Sequence, residues 1–207
     1  MRTFSIAGDG DDSSGYKTHA SWPPSAGTFV ADEGQTMYVW AGRDASAYEF
    51  DCGFMRFDLS ALPAGQVVSS ARLIMYCTYS REGATGGYSL VGDEYDFGGE
   101  PAVDADWRAP LAQASSILEP KRVNTYTASA LNDTFFNAAG RAAIAAAAGG
   151  FFGVRICLDS DVGAPITGDS AQANFSCSEH SNPEPQLEVV LSAVPIVYTP
   201  AKMRVVS

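Results

Sequence analysis

Histidine is nearly absent, basic residues are outnumbered, and no apolar stretch is long. The only histidines are His19 and His180, and His180 stands in Ser178-Glu179-His180-Ser181-Asn182-Pro183, a polar stretch without a nucleophile elbow. A Ser-His-Asp reading therefore finds no support. Two distant histidines do not make a transition-metal site, and the four cysteines, Cys52, Cys77, Cys157 and Cys177, lack the C-x-x-C spacing of zinc or redox centres. With 13 Lys and Arg against 24 Asp and Glu, the formal charge of -11 argues against nucleic acid and polyanionic glycans, which both select for clustered cations. It suits a solvated, self-repelling surface and neutral, basic or protein partners. No run of eighteen apolar residues is present, so no membrane span is expected. Met1-Arg2-Thr3-Phe4-Ser5-Ile6-Ala7 leads at once into Gly8-Asp9-Gly10-Asp11-Asp12, which leaves no room for the apolar core of a signal peptide. The expectation is a chain made in a cytoplasm and kept there until released. In that setting the cysteines read as buried small apolar side chains, with a disulfide formed after release as the alternative and its pairing open.

What the chain does have is strand text. At 207 residues and 46% hydrophobic it can bury one full core. In residues 53 to 76, GFMRFDLSALPAGQVVSSARLIMY, Met55, Phe57 and Leu59 alternate with Arg56 and Asp58. Ala71, Leu73, Met75 and Cys77 then alternate with Arg72, Ile74 and Tyr76. Both are the two-residue period of a strand with one face on a core. The joint over residues 60 to 70 holds the turn Leu62-Pro63-Ala64-Gly65 and is too long for a tight hairpin, so it predicts a crossing between sheets or around an edge.

This stretch resembles the signature of the DNRLRE-type domains, β-jelly-roll modules related to carbohydrate-binding modules. The shared text is a hydrophobic strand, Arg56-Phe57-Asp58, a Leu/Ser turn, Pro63-Ala64-Gly65, and a strand opening Ser70-Ala71-Arg72-Leu73. Tyr48-Glu49 before Gly53-Phe54 is similar to the members carried by tailed bacteriophages. The resemblance covers roughly residues 28 to 192 and implies an all-β fold, a two-sheet β-sandwich of jelly-roll type with one short Ala-rich helical insertion. It speaks for fold more than for function, because its residues are core and turn.

Along the chain, Thr3-Phe4-Ser5-Ile6 reads as a short strand inside a Gly-, Ser-, Asp- and Pro-rich segment, 1–27. Residues 28–31 and 36–41 read as strands, with Met37 and Val39 on one face and Tyr38 and Trp40 on the other. Residues 43–51 read as a loop, 88–91 and 123–128 as strands, and 130–148 as a helix capped by Ser129 or Asn132 and ended by Gly149-Gly150. Phe152, Val154, Ile156 and Leu158 mark a core strand, and 174–179 and 186–191 resemble the family's closing strands. Residues 193–207 lie beyond that ending as an apolar, acid-free tail. Its Val194, Ile196, Tyr198, Met203 and Val205 read either as a further strand of the same sheet or as an arm that adds a strand to a neighbouring subunit.

Candidate sites follow from side-chain chemistry. Asp9, Asp11 and Asp12 invite a structural calcium, which related jelly-roll modules carry, though Ser14 and Ala20 stand where an EF-hand loop needs Gly and Glu. The competing reading is an acidic turn, with no cofactor at all. Sugar recognition needs aromatic faces beside planar polar groups, and Tyr79, Tyr88, Tyr95, Trp107 and Tyr126 with Arg81 and Asp106 are the candidates, each with a core alternative. Glu94, Asp96, Glu100, Asp104 and Asp106 cluster as for glycoside hydrolysis, but such a cluster reads better as a solvated loop, and no enzyme is expected. Two functions remain. One is a non-enzymatic virion structural protein of a tailed phage, decorating the capsid or forming part of a tail or fibre and partnering virion proteins or itself. The other is a module recognising a neutral or host-surface polysaccharide.

Overall fold

The computed structural model describes residues 1–7, 12–24, 29–32, 35–98 and 103–192. In chain order its strands are β1 (Arg2–Ser5), β2 (Asp12–His19), β3 (Phe29–Asp32), β4 (Thr36–Arg43), β5 (Tyr48–Asp58) and β6 (Val68–Arg81). There follow β7 (Ser89–Glu94), β8 (Lys121–Arg122), β9 (Ala130–Phe135), the helix α1 (Ala138–Ala146), β10 (Phe151–Leu158), β11 (Asp169–Ser176) and β12 (Gln186–Leu191). The described residues are all-β with one short α-helix, the class that the sequence predicts. Its strands join in one curled sheet in the order β1-β12-β6-β11-β4-β5-β10-β7-β8, with β2 on β5, β3 on β2 and β9 on β6. Among the described residues no helix is long and apolar enough to cross a membrane.

Two long strands, β5 and β6, hold this sheet together by changing partners along their length. On one edge β5 pairs with β2 over residues 48–55. On the other edge its residues 48–51 pair with β4 and its residues 53–58 with β10. The exchange falls at Gly53. A Cβ there would lie 2.2 Å from Met37 Sδ and 3.1 Å from Ile156 Cγ1, so side chains from both partners occupy the space that any other residue would need. In the same way β6 passes from β12 over residues 68–74 to β11 over residues 77–81, with β9 on its opposite edge. The two strands are not paired with each other, which fits the long joint between them.

The core is built from the alternation read in the sequence. Met55, Phe57, Leu59, Ala71, Leu73, Met75 and Cys77 are all buried. In β10 the alternate residues Gly153, Arg155 and Cys157 are buried as well, so this strand is covered on both faces. A buried guanidinium is costly unless every donor is used. Arg155 Nε donates to Asp93 Oδ1 at 2.8 Å, and Nη1 donates to the carbonyls of Arg108 (2.8 Å) and Ala109 (3.1 Å), which ties the loop after β7 onto the sheet. All four cysteines are buried free thiols, and those of Cys52 and Cys157 are neighbours on the paired strands β5 and β10.

Several local expectations are corrected. The helix predicted over 130–148 is a strand and a shorter helix: β9 pairs with β6, and Asn137, not Ser129 or Asn132, caps α1 by accepting from the Gly140 N–H at 3.1 Å. In β9 the inward residues are polar: Asn132 bonds to the backbone of Thr127 and Ala130, and Thr134 Oγ1 lies 2.7 Å from the Tyr126 hydroxyl. Leu131 and Phe135 face outward, so the hydrophobic pattern is inverted. Residues 43–51 are not all loop, since β5 begins at Tyr48. Around residues 123–128 the expected strand is a 3-10 turn, Val123–Thr125. The segment 1–27 contributes β1 to β12 and β2 to β5. The strand expected at 174–179 runs from Asp169 to Ser176. The tail 193–207, with Val194, Ile196, Tyr198, Met203 and Val205, lies outside the described residues.

Because Met37 and Ile156 are fully buried, they have nowhere to retreat, and Gly53→Ala is expected to destabilise the fold by about 1–3 kcal/mol through overpacking. Urea denaturation checks this, and an unchanged midpoint would mean that the strand exchange does not depend on the missing side chain.

Candidate functional site

In antiparallel strands, residues directly opposite one another share a face. Following the register outward from β5 gives one row across six strands: Val30 (β3), Tyr16 (β2), Asp51 (β5), Trp40 (β4), Gln172 (β11) and Arg81 (β6). With strands spaced about 4.8 Å apart, the row spans roughly 24 Å. A second row places Tyr38, Asn174 and Tyr79 side by side on β4, β11 and β6. On the opposite face the same strands carry Phe50, Met37, Val39, Ala171, Ala173 and Phe175, all in the core.

One irregularity brings β6 into this arrangement. Tyr79 pairs with Asn174 but Cys77 pairs with Phe175, so Thr78 is an extra residue, a β-bulge. Strict alternation from Met75 and Cys77 would turn Tyr79 and Arg81 into the core. The bulge turns them outward instead, and Tyr79 is 44% exposed.

The centre of the face is a cleft of about 280 Å³ lined by Ser14, Tyr16, Tyr38, Trp40, Glu49, Asp51 and Gln172. Trp40 is its floor and divider. A Cβ on Gly42 would lie 2.6 Å from Trp40 Cζ2 and 3.0 Å from its Nε1, so the indole rests on a bare backbone that no other residue would leave clear. On the far side of the ring, Thr18, Gly42, Asp44, Ala47 and Glu49 line a smaller depression, so Glu49 and Trp40 belong to both. Burial, and secondly the charge of Asp44, pushes the Glu49 carboxyl above the usual range. Asp44 itself is held below that range by the N–H groups of Ser46 (2.6 Å) and Ala47 (2.7 Å), which it accepts in the β4–β5 turn. Three polar atoms of this face are buried without a hydrogen-bond partner: Ser14 Oγ, Trp40 Nε1 and Asn174 Oδ1. Orphaned polar atoms are costly in a folded protein, and a bound hydroxyl or amine would satisfy them.

The residues singled out from sequence fall in different places. Tyr79 and Arg81 lie on this face, at its β6 margin. Tyr88 is buried and donates its hydroxyl to the Gly163 carbonyl at 2.9 Å. Tyr126 is buried against Phe175, with centroids 5.4 Å apart. Neither presents a ring face for stacking. Tyr95 and Asp106 meet each other, hydroxyl to carboxylate at 2.6 Å, and Trp107 packs on Phe29 and Phe50 at 6.3 and 6.1 Å. This second group organises the loop after β7 on the core side of the sheet.

Of the acidic loop residues Glu94 is exposed at the end of β7, while Asp96, Asp104 and Asp106 are engaged in holding the fold. Asp104 takes Lys17 Nζ at 2.9 Å, Asp96 takes Arg56 Nε at 3.1 Å, and Asp106 also accepts the Val103 N–H at 2.7 Å. Glu100 lies outside the described residues, as do Asp9 and Asp11. Asp12 is buried at the start of β2, where its carboxylate accepts the Ser178 N–H and hydroxyl, each at 2.7 Å. Burial pushes its pKa up to about 6 against those bonds, with Glu179 and Glu184 adding to the rise. Asp12, Cys177 and Glu179 offer ligand atoms within 4.8 Å of one another, and the bonds from Ser178 make Asp12 a tether between β2 and the segment after β11.

Sequence reasoning missed every residue that lines the cleft: Ser14, Tyr16, Tyr38, Trp40, Glu49, Asp51 and Gln172. The available signal was the pairing of Tyr38 and Trp40 opposite Met37 and Val39, which marks an outward aromatic face on β4. No protein-family model matches the chain, and no curated protein matches it.

Proposed function

We propose that this chain is a non-enzymatic glycan-binding module whose site is the outward face of β2, β5, β4 and β11. The observation that carries this reading is the row of aromatic rings interleaved with planar polar side chains in one register, over a cleft where Ser14 Oγ and Trp40 Nε1 have no partner. Rings stack on the apolar faces of sugars, and flanking carboxylates and amides accept or donate to their hydroxyls. A cleft of about 280 Å³ takes one sugar ring at a time, while the longer row gives room for the rest of a chain.

The setting we propose is the virion of a tailed phage, in which the module decorates the particle or forms part of its tail and meets host-surface polysaccharide there. Its support is the resemblance of residues 53 to 76 to the phage-borne domains, together with the apolar composition of residues 193 to 207.

Affinity electrophoresis against a panel of neutral and amino-substituted polysaccharides tests the site. Trp40→Ala is expected to abolish retention with its melting temperature within a few degrees of the parent, because the ring is half-buried on the outward face and outside the core. Trp107→Ala is expected to behave in the opposite way, keeping retention at temperatures where it remains folded but losing about 2–4 kcal/mol of stability. Loss of retention in Trp107→Ala alone would move the site to the loop after β7. For the assembled setting, light scattering on the full chain and on one ending at Ser192 is expected to show an oligomer that falls to monomer on truncation. An unfolded truncation product would assign the tail to the core instead.

A further inference from the structure

We infer that the ligand of the cleft carries positive charge, so that the glycan recognised is one with free amino groups on its sugars. This rests on the glycan-binding reading above and narrows its ligand class. Of the seven lining residues, three are aromatic (Tyr16, Tyr38, Trp40), two are acidic (Glu49, Asp51), and none is basic. The basic side chains nearby are directed elsewhere. Arg43 lies on the other face with its guanidinium 4.7 Å from the Tyr48 ring centroid, Lys17 is on the core side with Asp104, and Arg81 is exposed at the far end of the row.

A neutral sugar would satisfy the aromatic rings but leave Glu49 partly desolvated beside Asp44 and Asp51, with like charges for company. An ammonium group changes that balance. It is attracted by the faces of electron-rich rings, by about 0.5–2 kcal/mol for each well-placed contact. Its N–H groups also suit acceptors such as the carboxylate of Glu49 and the orphaned Ser14 Oγ, which is 1% exposed and lines the cleft. Trp40 Nε1 cannot serve an ammonium, since both are donors, and takes a ring hydroxyl instead. The inferred partner is thus a sugar that carries both an amine and hydroxyls, the amine for the acceptors of the cleft and a hydroxyl for the indole N–H. The chain's overall charge of -11 acts in the same direction at long range, drawing polycations toward it.

The test is calorimetric titration of the full chain with a glucosamine tetrasaccharide and with its fully N-acetylated counterpart, at low and at raised salt, with tetralysine as a third probe. The expected result is binding of the amine form about tenfold tighter than the acetylated form, weakened by salt. Glu49→Gln is expected to bring the two affinities together, the amine form losing more than the acetylated form does. Trp40→Phe, which keeps a ring and loses the indole N–H, is expected to weaken both sugars equally. If the acetylated tetramer binds as tightly as the amine form, the charge inference is overturned and the glycan reading stands. If neither sugar binds, or tetralysine binds in their place, both are overturned.

Discussion

The structure turns on one vacancy of side chain, at Gly53. There β5 leaves β4 and takes up β10 while keeping β2 on its other edge, and Met37 and Ile156 fill the space from either side. A strand that serves three neighbours must be covered where its partners diverge, and it is covered by these two apolar side chains rather than by its own. The consequence extends in both directions along the strand. Toward the C-terminus, Met55, Phe57 and Leu59 enter the core. Toward the N-terminus, Glu49 and Asp51 are held outward between β2 and β4, at the centre of the proposed site.

The outward face is assembled by long-range pairing, since its residues come from β2, β4, β5, β6 and β11. Its shape then depends on two further local features. Gly42 lets the Trp40 indole lie on the sheet, and the Thr78 bulge rotates Tyr79 and Arg81 out of the core. Bulges that re-aim side chains are concentrated beside functional sites. On the core side, Arg155 with Asp93 and Trp107 with Phe29 and Phe50 fix the loop after β7. Trp40 and Trp107 are thereby set apart, one on an open face and the other in a packed loop.

How much of this was legible in the sequence follows from which forces act locally. The strands around residues 53–77 and 152–158 were readable because their apolar residues alternate with polar or small ones, and burial follows that pattern. β2 was not, since Asp12, Ser13, Ser14 and Gly15 have little strand preference and are held there by pairing with β5. β9 was misread because its inward positions, Asn132 and Thr134, are polar and satisfied by hydrogen bonds to Thr127 and Tyr126. The site suffered from the same limits. Tyr38 and Trp40 were placed on a shared face by alternation, but Tyr16 and Gln172 join them only through register, and Glu49 and Asp51 were in text read as a loop. Tyr88 and Tyr126 take the core alternative that the sequence also offers, each with its ring buried and its hydroxyl bonded.

The proposed sugar site is the open aromatic face and not the aromatic loop after β7. The chain has three tryptophans, Trp22, Trp40 and Trp107, so its indole N–H groups give three separable signals in a nitrogen–proton correlation spectrum. Titration with the glucosamine tetrasaccharide is the most direct measurement. The Trp40 indole signal is expected to move, because its N–H gains a hydrogen-bond partner, while those of Trp22 and Trp107 stay in place. Movement of the Trp107 signal with Trp40 unchanged would contradict the proposed site.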